Sequence, residues 1–186
     1  MIPLHLWSLI ERLANLHRRE ITAANLAPVH GEVLRYLLSC NRYSNTPGAV
    51  AEYLGLTNGA VSRTAGTLVR RGYIVKRTDR HDRRLVHLEL TPAGRDAAST
   101  LDLPTWTKSA EAIQVDQRET AEAVLAELLR TLQQQRDHKT FGACGTCRFL
   151  MPEGPGTFRC GLTREPLTPY ETHLICREHE PPASQL

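Results

Sequence analysis

The 186-residue chain predicts a mainly α fold with one small β-hairpin (α+β), followed by a small cysteine-rich, metal-binding C-terminal module. Three observations predict it. Apolar residues recur at helical spacing through most of the first 140 positions. A single pair of strand-favouring runs brackets a polar, cationic tip. Four of the five cysteines crowd into residues 144–176. The length suits one ordinary domain, residues 1–140, with an appendage, residues 141–186. No apolar run approaches the roughly 20 residues that span a bilayer. The opening residues, with Pro3, His5 and Trp7, lack a cationic leader before an apolar stretch, so the expected location is the cytosol, away from membranes.

The elements follow in order. Residues 4–21 place Leu4, Leu6, Leu9, Ile10, Leu13, Leu16 and Ile21 on a helical stripe, more apolar positions than a lone surface helix requires. Pro28 suits the first turn of a second helix carrying Val29, Val33, Leu34, Leu37 and Leu38 and ending at Asn41. Thr46-Pro47 caps and starts a short helix through Leu54, and Gly55 stops it. Thr57 caps the next helix, which runs to Arg70 or Arg71 before Gly72. Tyr73–Val75 and Leu85–Leu90 read as strands. Thr91-Pro92 opens a helix through Leu101, which Pro104 breaks or kinks. Asp116 and Glu119 form a capping-box-like pair before a last long helix, residues 117–138, with Val124, Leu125, Leu128, Leu129 and Leu132 as its stripe.

Helix, tight turn, helix and hairpin in that order make a winged helix-turn-helix, whose second helix enters a DNA major groove. The N-terminal half of that helix offers Asn58, Ser62, Arg63 and Thr64 to base edges, with Thr67 and Arg70 placed for phosphates. The net charge of +3 is modest, but from Arg63 to Arg84 eight Lys or Arg residues face only two acids, Asp79 and Asp82. Such a local basic stripe marks a phosphate binder, and Arg80, Arg83 and Arg84 on the hairpin tip can reach an adjacent groove. Asp79 and Asp82 are expected to pair with neighbouring arginines and hold the tip's shape.

Residues 46–95 resemble the MarR family of winged-helix regulators. The resemblance rests on Val50-Ala51-Glu52-Tyr53-Leu54-Gly55-Leu56, Val61-Ser62-Arg63, Leu68 to Tyr73, the acidic-and-arginine wing Asp79 to Arg84, and Leu90-Thr91-Pro92-Ala93-Gly94-Arg95. The order of flanking helices extends it to roughly residues 4–138. It implies a homodimer built from the helices 4–21 and 117–138, a palindromic double-stranded operator, and repression relieved by a ligand or a redox event.

The tail departs from that pattern. It holds Cys144-Gly145-Thr146-Cys147, Cys160-Gly161 and Cys176-Arg177-Glu178-His179, with all three phenylalanines, Phe141, Phe149 and Phe158. A segment this short buries too little surface to fold alone, which a metal staple remedies. A reducing cytosol disfavours disulfides. Zinc would use Cys144, Cys147, Cys176 and His179 and leave Cys160 without a role. An iron–sulfur cluster, 4Fe-4S by preference, would use Cys144, Cys147, Cys160 and Cys176 and leave no orphan. One Cys-x-x-Cys followed by two widely spaced cysteines loosely resembles small high-potential-type iron–sulfur modules. The phenylalanines would shield the cluster, and Gly145 and Gly161 would let backbone amides approach its sulfurs. Cys40, alone in an apolar helix, reads as a core thiol.

The sequence therefore predicts a DNA-binding regulator that senses redox state, oxygen or iron. Loss or oxidation of the cluster would reorient the terminal helices that space the two DNA-reading heads. One alternative is a repressor answering a small aromatic effector, with a structural zinc. Another is an electron-transfer protein, against which the basic wing argues. No Gly-rich phosphate loop, metalloprotease helix pair or nucleophile motif supports an enzyme.

Overall fold

The computed structural model describes residues 4–23, 26–101, 104–135 and 139–182. Seven α-helices and seven short strands are described: α1 (Leu4–Ala23), α2 (Pro28–Ser39), α3 (Pro47–Leu54), α4 (Asn58–Arg70), β1 (Ile74–Thr78), β2 (Val86–Leu90), α5 (Pro92–Ser99), α6 (Pro104–Glu111), α7 (Val115–Gln134), β3 (Gly142–Ala143), β4 (Leu150–Gly154), β5 (Thr157–Cys160), β6 (Pro166–Leu167) and β7 (Ile175–Cys176).

Caps set the winged domain. Thr46, Thr57 and Thr91 each accept a hydrogen bond from the backbone N–H three residues on, at Ala49, Ala60 and Gly94. Gly55 adopts φ 64° and closes α3, and the Leu56 N–H bonds back to the Ala51 carbonyl, so the turn into α4 is tight. Leu34, Val50, Val61, Leu68, Ile74, Leu88 and Leu101 form the core and are almost wholly buried. Gly31 and Gly94 hold it at close quarters. A Cβ on Gly94 would sit 1.9 Å from the Tyr73 carbonyl oxygen, and one on Gly31 would sit 2.3 Å from Ile21.

The hairpin pairs antiparallel from Ile74↔Leu90 to Thr78↔Val86. Lys76, Arg77 and Thr78, read from sequence as part of the tip, belong to the strand. The tip proper is Asp79–Leu85, closed by the Asp79 N–H on the Leu85 carbonyl (3.0 Å). The helix opened by Thr91-Pro92 ends at Ser99, ahead of Pro104 as expected, and the chain resumes at that proline as α6. One helix expectation is corrected. The Asp116 and Glu119 capping box does not form: α7 begins at Val115 after Gln114, which makes no side-chain cap, and Asp116 lies inside the first turn. Residues 136–138, the expected end of that helix and the start of the linker, lie outside the described residues.

The apolar stripes of α1 and α7 lie open in the single chain. Leu9, Leu13 and Leu16 are 54, 46 and 52% exposed, while Ile21, at the foot of the same stripe, is fully buried. Val124 and Leu129 are both 56% exposed, and no residue of α7 is buried.

The tail folds against the winged domain. β3 pairs with β7, and β4, β5 and β6 make a three-stranded antiparallel sheet. The Ile175 carbonyl accepts the Asn41 N–H (2.9 Å), and Cys40 and Ile175 form a parallel bridge. Phe141 stacks edge-on against Tyr53, ring centroids 5.2 Å apart, so it extends the winged domain's aromatic cluster.

Candidate nucleic-acid interface and cysteine pocket

Helix α4 turns Val61, Thr64, Ala65 and Leu68 into the core, one residue every three or four. The opposite face is left for a ligand. Asn58, Ser62, Arg63 and Arg70 are exposed on it, and Thr67 is half-buried. Thr64 is the correction. Its side chain is 7% exposed and packs inward, so it is not presented to DNA. The signal was available, because Thr64 falls on the Val61, Ala65, Leu68 stripe. Thr67 donates its hydroxyl to the Arg63 carbonyl (3.2 Å) and accepts from Arg70 (3.0 Å), which aligns the two arginines along one helix face.

Arg80, Arg83 and Arg84 are all exposed on the wing tip. The tip's shape does not come from acid–arginine pairs. Asp79 Oδ1 accepts the backbone N–H of His81 (2.7 Å) and Asp82 (2.9 Å), and Asp82 accepts that of Arg84 (2.9 Å). These bonds, the Asp82 amide first and the His81 amide next, hold the Asp79 carboxyl down to about 2. With the carboxylates engaged by amides, the guanidinium groups stay available.

A second site lies behind the helix pair. Cys144, Cys147, Cys160 and Cys176 line one pocket, with Phe149, Leu150, Leu162 and Leu167 as its apolar wall and Asn41 and Tyr43 from the winged domain closing it. Of the three phenylalanines only Phe149 reaches the pocket. Phe141 is in the aromatic cluster, and Phe158 pairs with Leu167 across the β5–β6 ladder. Nor is the Gly161 amide aimed at sulfur as anticipated. The Gly161 N–H bonds the Phe149 carbonyl (2.7 Å), and Gly145 is small because a Cβ there would come within 3.1 Å of the Thr172 carbonyl oxygen.

The donors to sulfur come from elsewhere. Asn41 Nδ2 donates to Cys144 Sγ (3.4 Å), and the Ser44 hydroxyl accepts the N–H of Arg177 beside Cys176 (2.8 Å). Cys144 and Cys176 shift one another: Cys144 above all lowers the Cys176 thiol, and Cys176 above all raises the Cys144 thiol. These winged-domain contacts had no sequence signal, because position 41 lies 103 residues from Cys144.

His179 does not line the pocket. Its ring lies against Gly142, where a Cβ would meet it at 2.6 Å, and its Nε2 faces the Thr146 hydroxyl (3.0 Å). His173 is exposed. Cys40 is buried, and burial pushes its thiol up to about 12. Among the described residues no three His, Cys, Asp or Glu side chains gather closely enough to share one metal ion.

A separate cleft between α1 and the winged domain is lined by His17, Arg35, Tyr36 and Tyr53.

Residues 24–85, a third of the chain, match the model of the MarR family. The fold is similar to that of the S. aureus MepR–DNA complex, with TM-score 0.56 and 18% identity over 70% of this chain and 98% of that one. It is similar to wild-type apo MarR from E. coli, with TM-score 0.51 and 21% identity over 69% of this chain and 98% of that one. A cysteine-to-serine mutant of E. coli MarR complexed with operator DNA gives TM-score 0.52 and 20% identity over 68% of this chain and 94% of that one. No curated protein matches the chain. The fold is therefore a MarR-type winged helix, and no described helix is long and apolar enough to cross a membrane.

Proposed function

We propose that the chain is a non-enzymatic, MarR-type regulator of transcription that binds a palindromic double-stranded operator as a homodimer. A cluster held by Cys144, Cys147, Cys160 and Cys176 then reports redox state, oxygen or iron. The observation that carries the DNA reading is the pairing of two exposed surfaces on one rigid winged domain: the Asn58, Ser62, Arg63 face of α4 and the arginine-bearing wing. In the similar folds of MepR and MarR, DNA-bound forms are known. The open leucine stripes on α1 and α7 support the dimer, because a contiguous apolar face of that size on an isolated protomer marks an interaction surface.

The convergence of all four cysteines on one apolar-walled pocket supports the cluster over zinc. A zinc site built from Cys144, Cys147, Cys176 and His179 would leave Cys160 without a role, although Cys160 lines the pocket. A cubane would use all four thiolates, one to each iron. His179, the alternative zinc ligand, does not line that pocket, and its Nε2 meets the Thr146 hydroxyl.

Purification without oxygen, with iron, sulfide and zinc analysis and operator selection on the same sample, tests both halves. Stoichiometric iron and sulfide with a selected palindrome is the expected result. Zinc alone, or no preference among DNA sequences, would refute the respective half. A second reading, release of repression by a small aromatic effector, is favoured by the cleft at His17, Arg35, Tyr36 and Tyr53, where two phenol rings and a guanidinium would suit an aromatic acid. Cluster-independent release of DNA by such an acid would select it.

A further inference from the structure

The loop between α2 and α3, Asn41 to Asn45, touches the cysteine pocket at one end and the wing at the other. At the pocket end Asn41 is 2% exposed and Ser44 1%, so their polar groups must find partners inside the protein. Asn41 Nδ2 reaches Cys144 Sγ, its backbone N–H reaches Ile175, and the Ser44 hydroxyl accepts the Arg177 N–H (2.8 Å). The loop is internally tied. The Ser44 N–H bonds the Asn41 carbonyl (3.1 Å), the Tyr43 N–H bonds Asn41 Oδ1 (3.1 Å), and the Tyr36 hydroxyl donates to the Ser44 carbonyl (2.8 Å).

At the wing end the Asn45 carbonyl accepts the Leu88 N–H (2.7 Å), and Asn45 Oδ1 lies 2.5 Å from His87 Nδ1. The far side of the same ring, Nε2, faces Asp79 Oδ2 at 3.1 Å. The other Asp79 oxygen holds the His81 and Asp82 amides that shape the arginine-bearing tip.

We propose that this loop is a strut through which the state of the cysteine pocket sets the conformation of the wing, with Asn41 and Ser44 as its pocket-end positioning residues and Asn45 and His87 as its wing-end ones. The inference deepens the regulatory reading above and rests on it for the identity of the signal. It changes the expected route, since the signal arrives at the wing without passing through the terminal helices.

The physical reason lies in the sulfurs. In the structure Asn41 donates to Cys144 Sγ (3.4 Å), Ser44 accepts the N–H of Arg177 next to Cys176 (2.8 Å), and all four cysteines line the pocket that Asn41 closes. Cys144, Cys147, Cys160 and Cys176 would hold a cluster there, and binding it would fix the positions of Cys144 and Cys176, the two cysteines the loop holds. Asn41 and Ser44, with nowhere to turn in a dry site, move with the sulfurs or lose a buried hydrogen bond. The rest of the strut, tied at each step, carries the displacement to Asn45 and the His87 ring.

The test is amide hydrogen exchange across residues 79–85 in full-length protein, metal-loaded after anaerobic purification and then chelator-stripped. Wild type is expected to show at least about a fivefold difference in exchange at the His81 and Asp82 amides between the two states, in line with useful allosteric couplings. Asn45→Ala is expected to abolish that difference while metal content, visible absorption and sedimentation stay as in wild type. His87→Leu, which cuts the strut one link nearer the wing, is expected to do the same, and it answers the case in which Asn45→Ala fails to fold. Equal wing exchange in both wild-type states, or a difference confined to α1 and α7, overturns the strut, as does a difference that survives both substitutions. A chain that takes up no metal refutes the cluster reading instead. The strut is then tested by Asn41→Ala, where faster exchange at residues 79–85 sustains it and unchanged exchange overturns it.

Discussion

Arg177 grips Glu52 with two hydrogen bonds, Nε to Oε2 and Nη2 to Oε1, both 2.7 Å, fastening the cysteine module to the first helix of the helix-turn-helix. The two side chains are 33 and 39% exposed, so solvent screens the pair and its contribution is that of a surface ion pair, about 0–1 kcal/mol. Arg177→Ala is expected to lower the thermal midpoint slightly and to leave the metal in place, because the tail's backbone keeps its bonds to the Asn41 N–H and the Ser44 hydroxyl. Differential scanning calorimetry with metal analysis checks this. Loss of metal in this variant would show that the ion pair, and not the backbone, seats the module.

Cys160 separates the two metal readings. Cys160→Ser is expected to bleach the protein or make its absorption near 400 nm decay in air, since a cubane that loses a thiolate exposes one iron. His179→Ala is expected to keep the metal, because its ring is turned to Thr146. Metal analysis of both variants reads the outcome, and metal kept without Cys160 but lost without His179 would establish zinc.

On DNA the two arginine groups are expected to separate. Arg84→Ala should weaken binding to every sequence and lower the slope of log affinity against log salt by about 1, the signature of one phosphate contact. Arg63→Ala should relax base preference at one position at a cost of about 1–3 kcal/mol. Anisotropy titrations on specific and random duplexes at several salt concentrations measure both, and equal losses on the two DNAs would assign Arg63 to the backbone.

Leu129→Asp is expected to yield a folded monomer. The side chain is open to solvent in the protomer, so a charge there costs little until a second copy covers it and strips its water. Leu13→Asp should act the same way. Sedimentation velocity with circular dichroism tests the pair; a wild-type monomer, or variants that remain dimeric, would place the interface elsewhere.

The wing has its own acid limit. The folded Asp79 carboxyl lies at about 2 against an ordinary 3.8, so the stabilisation it gives the tip is complete above about pH 4 and is lost as pH falls toward 2. Exchange at the His81 and Asp82 amides should therefore remain slow at pH 6 and 4 and accelerate at pH 2, beyond the intrinsic pH effect. Asp79→Ala should show the fast behaviour at every pH.

Local chemistry was the legible part of the sequence. Thr46, Thr57 and Thr91 announce helix starts because capping needs only a hydroxyl and the amide three residues on, and Gly55 announces a turn by itself. Thr64 was misassigned to DNA even though its own helix period placed it inward. The tail's sheets were not legible, since strands such as Gly142–Ala143 and Ile175–Cys176 are too short to show alternation. For the cysteine pocket, the four sulfurs were readable as a set from their crowding. The buried donors Asn41 and Ser44 were not, because a polar loop residue looks the same whether water or a distant cysteine is its partner. The capping box at Asp116 failed for a simpler reason: a helix that starts two residues earlier, at Val115, leaves that side chain inside the first turn.

The bridge between Cys40 and Ile175 has a consequence in time. A chain leaving the ribosome can complete its winged helix-turn-helix once β2 and α5 have emerged, but the cysteine pocket needs β7, about 80 residues later. Contacts of such long sequence separation form slowly. On the function proposed above, a chain whose α7 is complete could dimerise and grip DNA before its cysteine pocket can answer a signal, and a product clipped before Ile175 would stay in that state permanently. Bacteria expressing such a shortened form are expected to hold its target promoters in one fixed state, whatever the supply of iron or oxygen.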